Sequence, residues 1–208
     1  MDLDWEARSR EAREERGVKD YEPHQPFVAE RTLDRALWYE SQLLVMYADG
    51  PAVGNSCCIW EGNVPEGMGP PPHVHIFQHE IFYIIEGHLT AWVEGVRFDV
   101  PKNALIFLPA GRAHWFLSAA PVTRMLSLTV TATGLSSQHL QRRLFEYIGK
   151  PAEALTMPPA VRDDFRPDPA TLAEIAYNDG SKLFDVEERG WRRAFGYEGE
   201  VSSGKDEE

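Results

Sequence analysis

The chain has 208 residues, 43% of them hydrophobic, which is enough for one well-buried domain with peripheral segments. Its 33 Asp and Glu residues outnumber 21 Lys and Arg residues, so the formal net charge is -12 and a phosphate backbone would be repelled. The mean hydropathy is -0.39, and no apolar run approaches the roughly 18 residues that a membrane helix needs. We therefore expect a globular protein without a nucleic-acid partner or a membrane span.

The N-terminal segment, residues 1–30, is predicted to be charged and helical or irregular. Residues 1–20 are rich in Glu, Ala and Arg and have few apolar positions, which favours a solvated helix. The stretch EPHQPF (22–27) ends it, because the residue before each proline is pushed toward extended geometry. MDLDWEARSREAREERG lacks the apolar core of a signal peptide, so we expect a cytoplasmic protein.

Residues 31–134 are predicted to form an all-β domain, either a closed barrel or a sandwich. From about residue 36, short runs of apolar, aromatic and β-branched residues alternate with Gly, Pro, Asn and Asp, which is typical of consecutive strands. Turns are expected at 86–89, 94–97 and 101–103. Cys57 and Cys58 are neighbours on one predicted strand and should point to opposite faces, so we expect two reduced thiols.

Residues 135–200 are predicted to be a helical extension, and 201–208 a disordered tail. TGLSSQHLQRRLFEYIGK fits a helix with Ser136 or Ser137 as its N-cap and Gly149 just past its end. After a proline-rich connector, a second helical stretch is expected near 170–195.

Three histidines and a glutamate are the candidate metal ligands. His73 and His75 are two apart on an extended segment and can face one point. A turn after His75 would let Glu80 begin the next strand beside them, and His114 follows a Pro/Gly turn at the head of an aromatic strand. A His-x-His pair alone is more often a polar strand face. Three imidazoles and a carboxylate together suit one divalent Fe, Ni, Mn, Co, Cu or Zn ion.

Two motifs containing these residues resemble those of the cupin superfamily. The first is complete, and its fixed positions are Gly67, His73, His75, Glu80 and Gly87. The second has Pro109, Gly111 and His114 in place, but Asn103 stands where cupins usually have Gly and Ser118 where they usually have Asn. The resemblance covers residues 55–132 and implies an all-β jelly-roll barrel, with four metal ligands at His73, His75, Glu80 and His114.

Other side chains are assigned from strand alternation. His79 should face away from Glu80, as a solvent-facing or loop residue, and His88 and His139 are expected at the surface. Phe82 and Ile84 should share the face of Glu80, and Phe116 that of His114, while Trp115 points away. Core packing explains most of these aromatics. The candidate substrate contacts are Phe82, Ile84, Trp92, Phe107, Phe116 and Tyr47, with Trp92 and Phe107 expected inside the barrel.

The resemblance also implies an activity. A three-His, one-Glu site is similar to that of quercetin 2,3-dioxygenases, oxalate-degrading enzymes and acireductone dioxygenases. The longer pattern looks like the bacterial quercetinase-like cupins in particular. We therefore predict a metal-dependent dioxygenase acting on a flavonol or other aromatic hydroxy-ketone, with Glu80 as ligand and general base and dioxygen as co-substrate. A polyketide cyclase or isomerase with a Lewis-acid metal and a non-enzymatic small-molecule-binding cupin remain open. Barrel cupins commonly pair through sheet edges, so we expect a homodimer, with the predicted N-terminal strand ALWYESQLLVMYA (36–48) as a candidate contact.

Overall fold

Two antiparallel sheets form the framework of the part of the chain that the structure describes. The computed structural model describes residues 4–17, 24–132, 145, 147, 149–159, 169–178 and 181–183. The strands are β1 (Ala36–Tyr39), β2 (Gln42–Ala48), β3 (Cys57–Pro65), β4 (His73–His75), β5 (Gln78–Glu86), β6 (His88–Val93), β7 (Val96–Pro101), β8 (Leu105–Leu108), β9 (His114–Ser118), β10 (Val122–Thr131), β11 (Lys150–Pro151) and β12 (Ser181–Leu183). This architecture confirms the predicted all-β fold.

The order of strands explains how distant parts of the chain meet. Sheet A has the order β11-β1-β2-β3-β10-β5-β8, and sheet B the order β12-β4-β9-β6-β7. Consecutive strands are often in different sheets, as in a jelly roll. Strand β4 is thereby placed beside β9, which follows almost forty residues later, and His73 lies opposite His114.

Strand alternation places the core between the sheets. On β5, Phe82 and Ile84 have no solvent exposure, whereas Tyr83 between them is 38% exposed. Phe116 on β9 packs into the same core. A second, smaller apolar cluster lies on the outer face of β1 and β2, where Trp38 and Val45 are covered by Ala152.

Helices play a minor part in the described residues. Helix α1 spans Trp5–Glu15, and the side chain of its N-cap Asp4 accepts a hydrogen bond from the Ala7 amide at 3.0 Å. Short 3-10 helices span Leu33–Arg35 and Gly50–Val53, and helix α2 spans Pro169–Asn178. In the part of the chain that is described, neither α-helix is long and apolar enough to cross a membrane.

Two predicted boundaries were wrong. The run ALWYESQLLVMYA is not one strand, because Glu40 adopts a left-handed conformation (φ 52°) in the turn between β1 and β2. The helical stretch expected near 170–195 stops at Asn178, and residues 181–183 form β12 along β4. The helix expected over about 135–149 lies mostly outside the described residues, as do His139 and the tail.

The edge expected to contact a second copy of the chain is partly paired within the chain. Leu37 and Trp38 on β1 lie opposite Pro151 and Lys150 on β11. Lys150 and Pro151 are themselves exposed. The homodimer stays a prediction.

Candidate metal centre

The motif positions that depart from the cupin pattern are explained by backbone geometry. Asn103 has φ 64°, a left-handed conformation that glycine adopts freely and asparagine tolerates better than most residues. Buried Ser118 donates a hydrogen bond to the Ala120 carbonyl at 3.0 Å, and its hydroxyl lies 2.8 Å from that of Thr123. Both replacements therefore keep the turns that flank β8 and β9.

The four predicted ligands come together inside the barrel. Each of His73, His75, Glu80 and His114 offers one ligand atom, and these atoms all lie within 4.8 Å of one another. The four side chains are between 1% and 6% exposed. The four side chains thus lie together, as the sequence analysis expected, and their role as metal ligands stays a prediction.

The spacing of the ligand atoms fits a bound ion. Glu80 Oε2 lies 3.4 Å from His75 Nε2 and 3.3 Å from His114 Nε2. Two atoms that bind a tetrahedral ion at about 2.0–2.1 Å are themselves about 3.3–3.4 Å apart. These two pairs therefore have the spacing that a bound divalent transition metal requires, and His73 completes the group within 4.8 Å.

Backbone carbonyls orient two of the imidazoles. His73 Nδ1 donates to the Pro71 carbonyl at 2.9 Å, and His114 Nδ1 donates to the Arg112 carbonyl at 2.8 Å. A carbonyl only accepts, so Nδ1 carries the proton and the lone pair of Nε2 is directed to the centre. Sequence reasoning missed these carbonyls, although each stands two residues before its histidine.

The protonation states suit metal binding. Burial, followed by the charges of His114 and His75, holds the pKa of His73 well below its usual range, so that the ring is neutral. Burial also raises the pKa of Glu80, but interactions with His75 and His114 outweigh it and hold that pKa well below its usual range. A neutral imidazole and an ionised carboxylate are the forms that bind a cation.

His79 has a role that its position in the sequence did not suggest. It faces away from Glu80, as predicted, but it is half-buried rather than solvent-facing. Its Nδ1 accepts a hydrogen bond from the Ala110 amide at 3.0 Å, and its ring lies 5.1 Å from that of Phe107. His79 thus holds the Pro109–Gly111 turn that leads into His114.

Three of the six predicted substrate contacts face the interior and three do not. Phe82, Ile84 and Phe116 belong to the barrel core. Trp92 does not: it lies on the outer face of sheet B, because Ala91 on the same strand faces inward, and it stacks on Trp115 with centroids 3.8 Å apart. The expectation that Trp92 lies inside was wrong.

Phe107 does not lie inside the barrel as expected, and Tyr47, for which no face was predicted, lies outside it as well. Phe107 is 49% exposed, because its neighbours Ile106 and Leu108 face inward. Tyr47 lies on the outer face of β2, where its hydroxyl donates to Glu61 Oε2 at 3.1 Å. It lines a separate pocket of about 420 Å³.

Comparisons with known proteins agree with this geometry. Residues 60–129 match the family model described as "Cupin domain". A protein of Penicillium expansum named "Probable oxidoreductase patJ" is 30% identical over 97 residues, 41% of this chain and 30% of that protein. Quercetin 2,3-dioxygenase of Bacillus subtilis is 24% identical over 145 residues, 68% of this chain and 41% of that protein.

Among solved structures, a "predicted oxalate decarboxylase" from Thermotoga maritima is 15% identical with a TM-score of 0.47, over 51% of this chain and all of that one. The matches to the two curated relatives span less than half of their lengths. The matching residues 60–129 include all four ligand positions and the strands that carry them. Residues 60–129 of the chain therefore form a cupin domain.

Proposed function

We propose that the protein is a metal-dependent dioxygenase of the quercetinase type, acting on a flavonol or another aromatic hydroxy-ketone. The observation that carries this proposal is the buried group of three imidazoles and one carboxylate, with all ligand atoms within 4.8 Å. The match to quercetin 2,3-dioxygenase over 68% of the chain supports it.

The four side chains would hold one Fe, Ni, Mn, Co, Cu or Zn ion, since imidazole and carboxylate suit all of them. When bound, the ion would supply Lewis acidity and, if redox-active, electrons for dioxygen chemistry. The hydrogen bonds from His73 and His114 to backbone carbonyls fix two of the rings before a ligand arrives.

Glu80 is proposed as the proton acceptor. Its ionised carboxylate lies at the centre of the ligand group and can take the proton of an enolic hydroxyl at hydrogen-bond distance. Leu108 lies directly opposite Glu80 on β8, and Phe82 and Phe116 extend the same interior. These apolar walls exclude water and strengthen the electrostatic interactions within the site.

The test compares Glu80→Gln with Glu86→Gln, because Glu86 lies on the same strand but is exposed. We expect Glu80→Gln to fold and keep much of its metal, measured by elemental mass spectrometry, but to lose dioxygen uptake with quercetin. Glu86→Gln should behave as wild type. Wild-type turnover in Glu80→Gln would contradict the role of Glu80 as base.

Metal content decides between this proposal and its alternatives. A redox-active ion in the protein purified without added metal, together with dioxygen uptake on a hydroxy-ketone, would support the dioxygenase. Stoichiometric zinc without dioxygen uptake would favour a polyketide cyclase or isomerase that uses a Lewis acid. Failure to bind any metal after reconstitution would leave a small-molecule-binding cupin.

A further inference from the structure

An apolar cleft of about 310 Å³ lies between the edge strands β7 and β8. Six apolar side chains line it: Val93, Val96, Phe98, Ile106, Phe107 and Pro109. Among the described strands, β7 pairs only with β6 and β8 only with β5, so no described strand covers the gap. Val96, Phe98 and Phe107 are 58%, 44% and 49% exposed, and such contiguous apolar exposure marks a binding surface.

The cleft lies at the level of the metal ligands. Four residues form one row across sheet B. His73 on β4 lies opposite His114 on β9, His114 lies opposite Val93 on β6, and Val93 lies opposite Val96 on β7. In sheet A, Leu108 lies opposite Glu80 and directly precedes Pro109 in the cleft wall. Since neighbouring strands are about 4.8 Å apart, Val96 lies about 10 Å from His114. The cleft thus begins one strand away from a ligand.

The other end of the same row is closed. Strand β12 pairs along β4, with Leu183 opposite His73 and Ser181 opposite His75. The row of ligands in sheet B is therefore bounded by a paired strand on one side and by exposed Val96 on the other. This asymmetry indicates which side of the barrel admits a ligand.

The rim of the cleft favours a neutral occupant. Glu94 and Arg112 are the charged side chains that line the cleft. They form an ion pair with each other and are both about half exposed, so neither charge is left to attract an ion of the opposite sign. The remaining surface offers dispersion contacts to a flat apolar group.

We propose that this cleft admits the substrate to the metal centre and binds its neutral, apolar ring system of one or two rings. The inference rests on the proposed function and specifies where the substrate lies. Ligand pockets commonly measure about 300–1,000 Å³, so a cleft of this size suits the ring system of a substrate whose oxygens reach the ligands. Val96 and Phe98 then contribute to selecting the shape of the ring.

The test uses prodan, a neutral two-ring ketone whose fluorescence reports the polarity around it. Val96→Glu places a charge in the cleft at an exposed position that tolerates it, and should raise the Kd of prodan at least about tenfold. Leu105→Glu is the matched control, because Leu105 is 59% exposed on β8 but does not line the cleft. We expect it to change the Kd less than about twofold.

A second measurement asks whether the cleft leads to the metal. The NMR lines of bound prodan should broaden in protein loaded with paramagnetic Mn²⁺ and stay sharp in protein loaded with Zn²⁺, because the broadening falls steeply with distance. Unchanged prodan binding in Val96→Glu, or equal line widths with both ions, would overturn the proposal. The proposal would also be overturned if a second copy of the chain filled the cleft. In that case the sedimentation coefficient of Val96→Glu would be lower than that of the wild type.

These outcomes separate the cleft from the proposed reaction. If prodan behaves as expected but no hydroxy-ketone is turned over, the cleft is confirmed as a site connected to the metal and the dioxygenase proposal fails. If quercetin is turned over with the same KM in wild type and Val96→Glu, the dioxygenase proposal holds and the cleft is not the substrate site.

Discussion

Replacing Glu61 by Gln should destabilise the protein strongly, because Glu61 is a buried carboxylate surrounded by cationic donors. It is 4% exposed on the outer face of β3. Arg124 Nε and Nη2 donate to its two oxygens at 2.9 Å, Arg31 Nε donates at 2.9 Å, and the Tyr47 hydroxyl donates at 3.1 Å. Through these hydrogen bonds, Glu61 and its three partners, named here the Glu61 group, connect Arg31, β2 and β10 to the outer face of β3.

The size of the effect follows from these contacts. Glutamine has nearly the same shape as glutamate but carries no negative charge. One of its two oxygens is replaced by an NH₂ group, which cannot accept the hydrogen bonds that the guanidinium groups donate. Losing two charge-assisted hydrogen bonds costs about 3–6 kcal/mol when fully buried. The side chains of Arg31 and Arg124 are 29% and 37% exposed, so solvent screening reduces this. We expect a loss of about 2–3 kcal/mol, or about 4–12 °C in Tm for a domain of this size.

The loss should depend on pH in a defined direction. Burial raises the pKa of Glu61, but the hydrogen bonds from Arg124 and Arg31 outweigh it, and the pKa lies below the ordinary value of 4.5. A lowered pKa in the folded state stabilises the protein above the unfolded-state pKa, and this stability is lost as the pH falls through the folded value. The difference between wild type and Glu61→Gln should therefore be constant at neutral pH and shrink below about pH 4.5.

Urea unfolding of both proteins from neutral to acidic pH measures this difference. Glu94→Gln is the matched control, because the Glu94–Arg112 pair is about half exposed and should contribute only about 0–1 kcal/mol. A loss in Glu61→Gln no larger than that in Glu94→Gln, or a difference that grows toward acidic pH, would refute the reasoning.

Three further predictions concern the backbone around the site. Lys182 lies opposite Val74 on β4, between the positions opposite His73 and His75, so Lys182→Pro should disrupt the pairing of β12 with β4. We expect the affinity for Zn²⁺, measured by competition with a chelator, to fall about tenfold. An unchanged affinity would show that β12 does not position β4. Gly69→Ala places a Cβ atom 1.8 Å from the Phe116 carbonyl and should cost about 2–3 kcal/mol in urea unfolding, whereas a loss below about 0.5 kcal/mol would contradict the close approach. Asn103→Val should cost about 1–2 kcal/mol because of the left-handed backbone, and Asn103→Gly should not; equal losses would contradict this explanation.

Local spacing, together with the resemblance to the two cupin motifs, predicted the ligand group. His73 and His75 share a strand face because side chains alternate, and the Pro/Gly turn before His114 is visible in the sequence. The same alternation correctly assigned Phe82, Ile84, Phe116 and Trp115 to their faces. It failed for Trp92 and Phe107, because the periodicity of a strand separates two faces but does not say which of them is inside when both are apolar.

The sequence by itself determined most of the barrel strands, several of their turns and the identity of the candidate ligands, since these depend on residues close together in the chain. Only the tertiary structure decided which strands are neighbours. The pairing of β12 with β4, the Glu61 group and the cleft between β7 and β8 each join segments far apart in sequence. Such contacts depend on how the two sheets close and on where an edge is left open, and a three-residue strand such as Ser181–Leu183 carries too little local pattern to predict them.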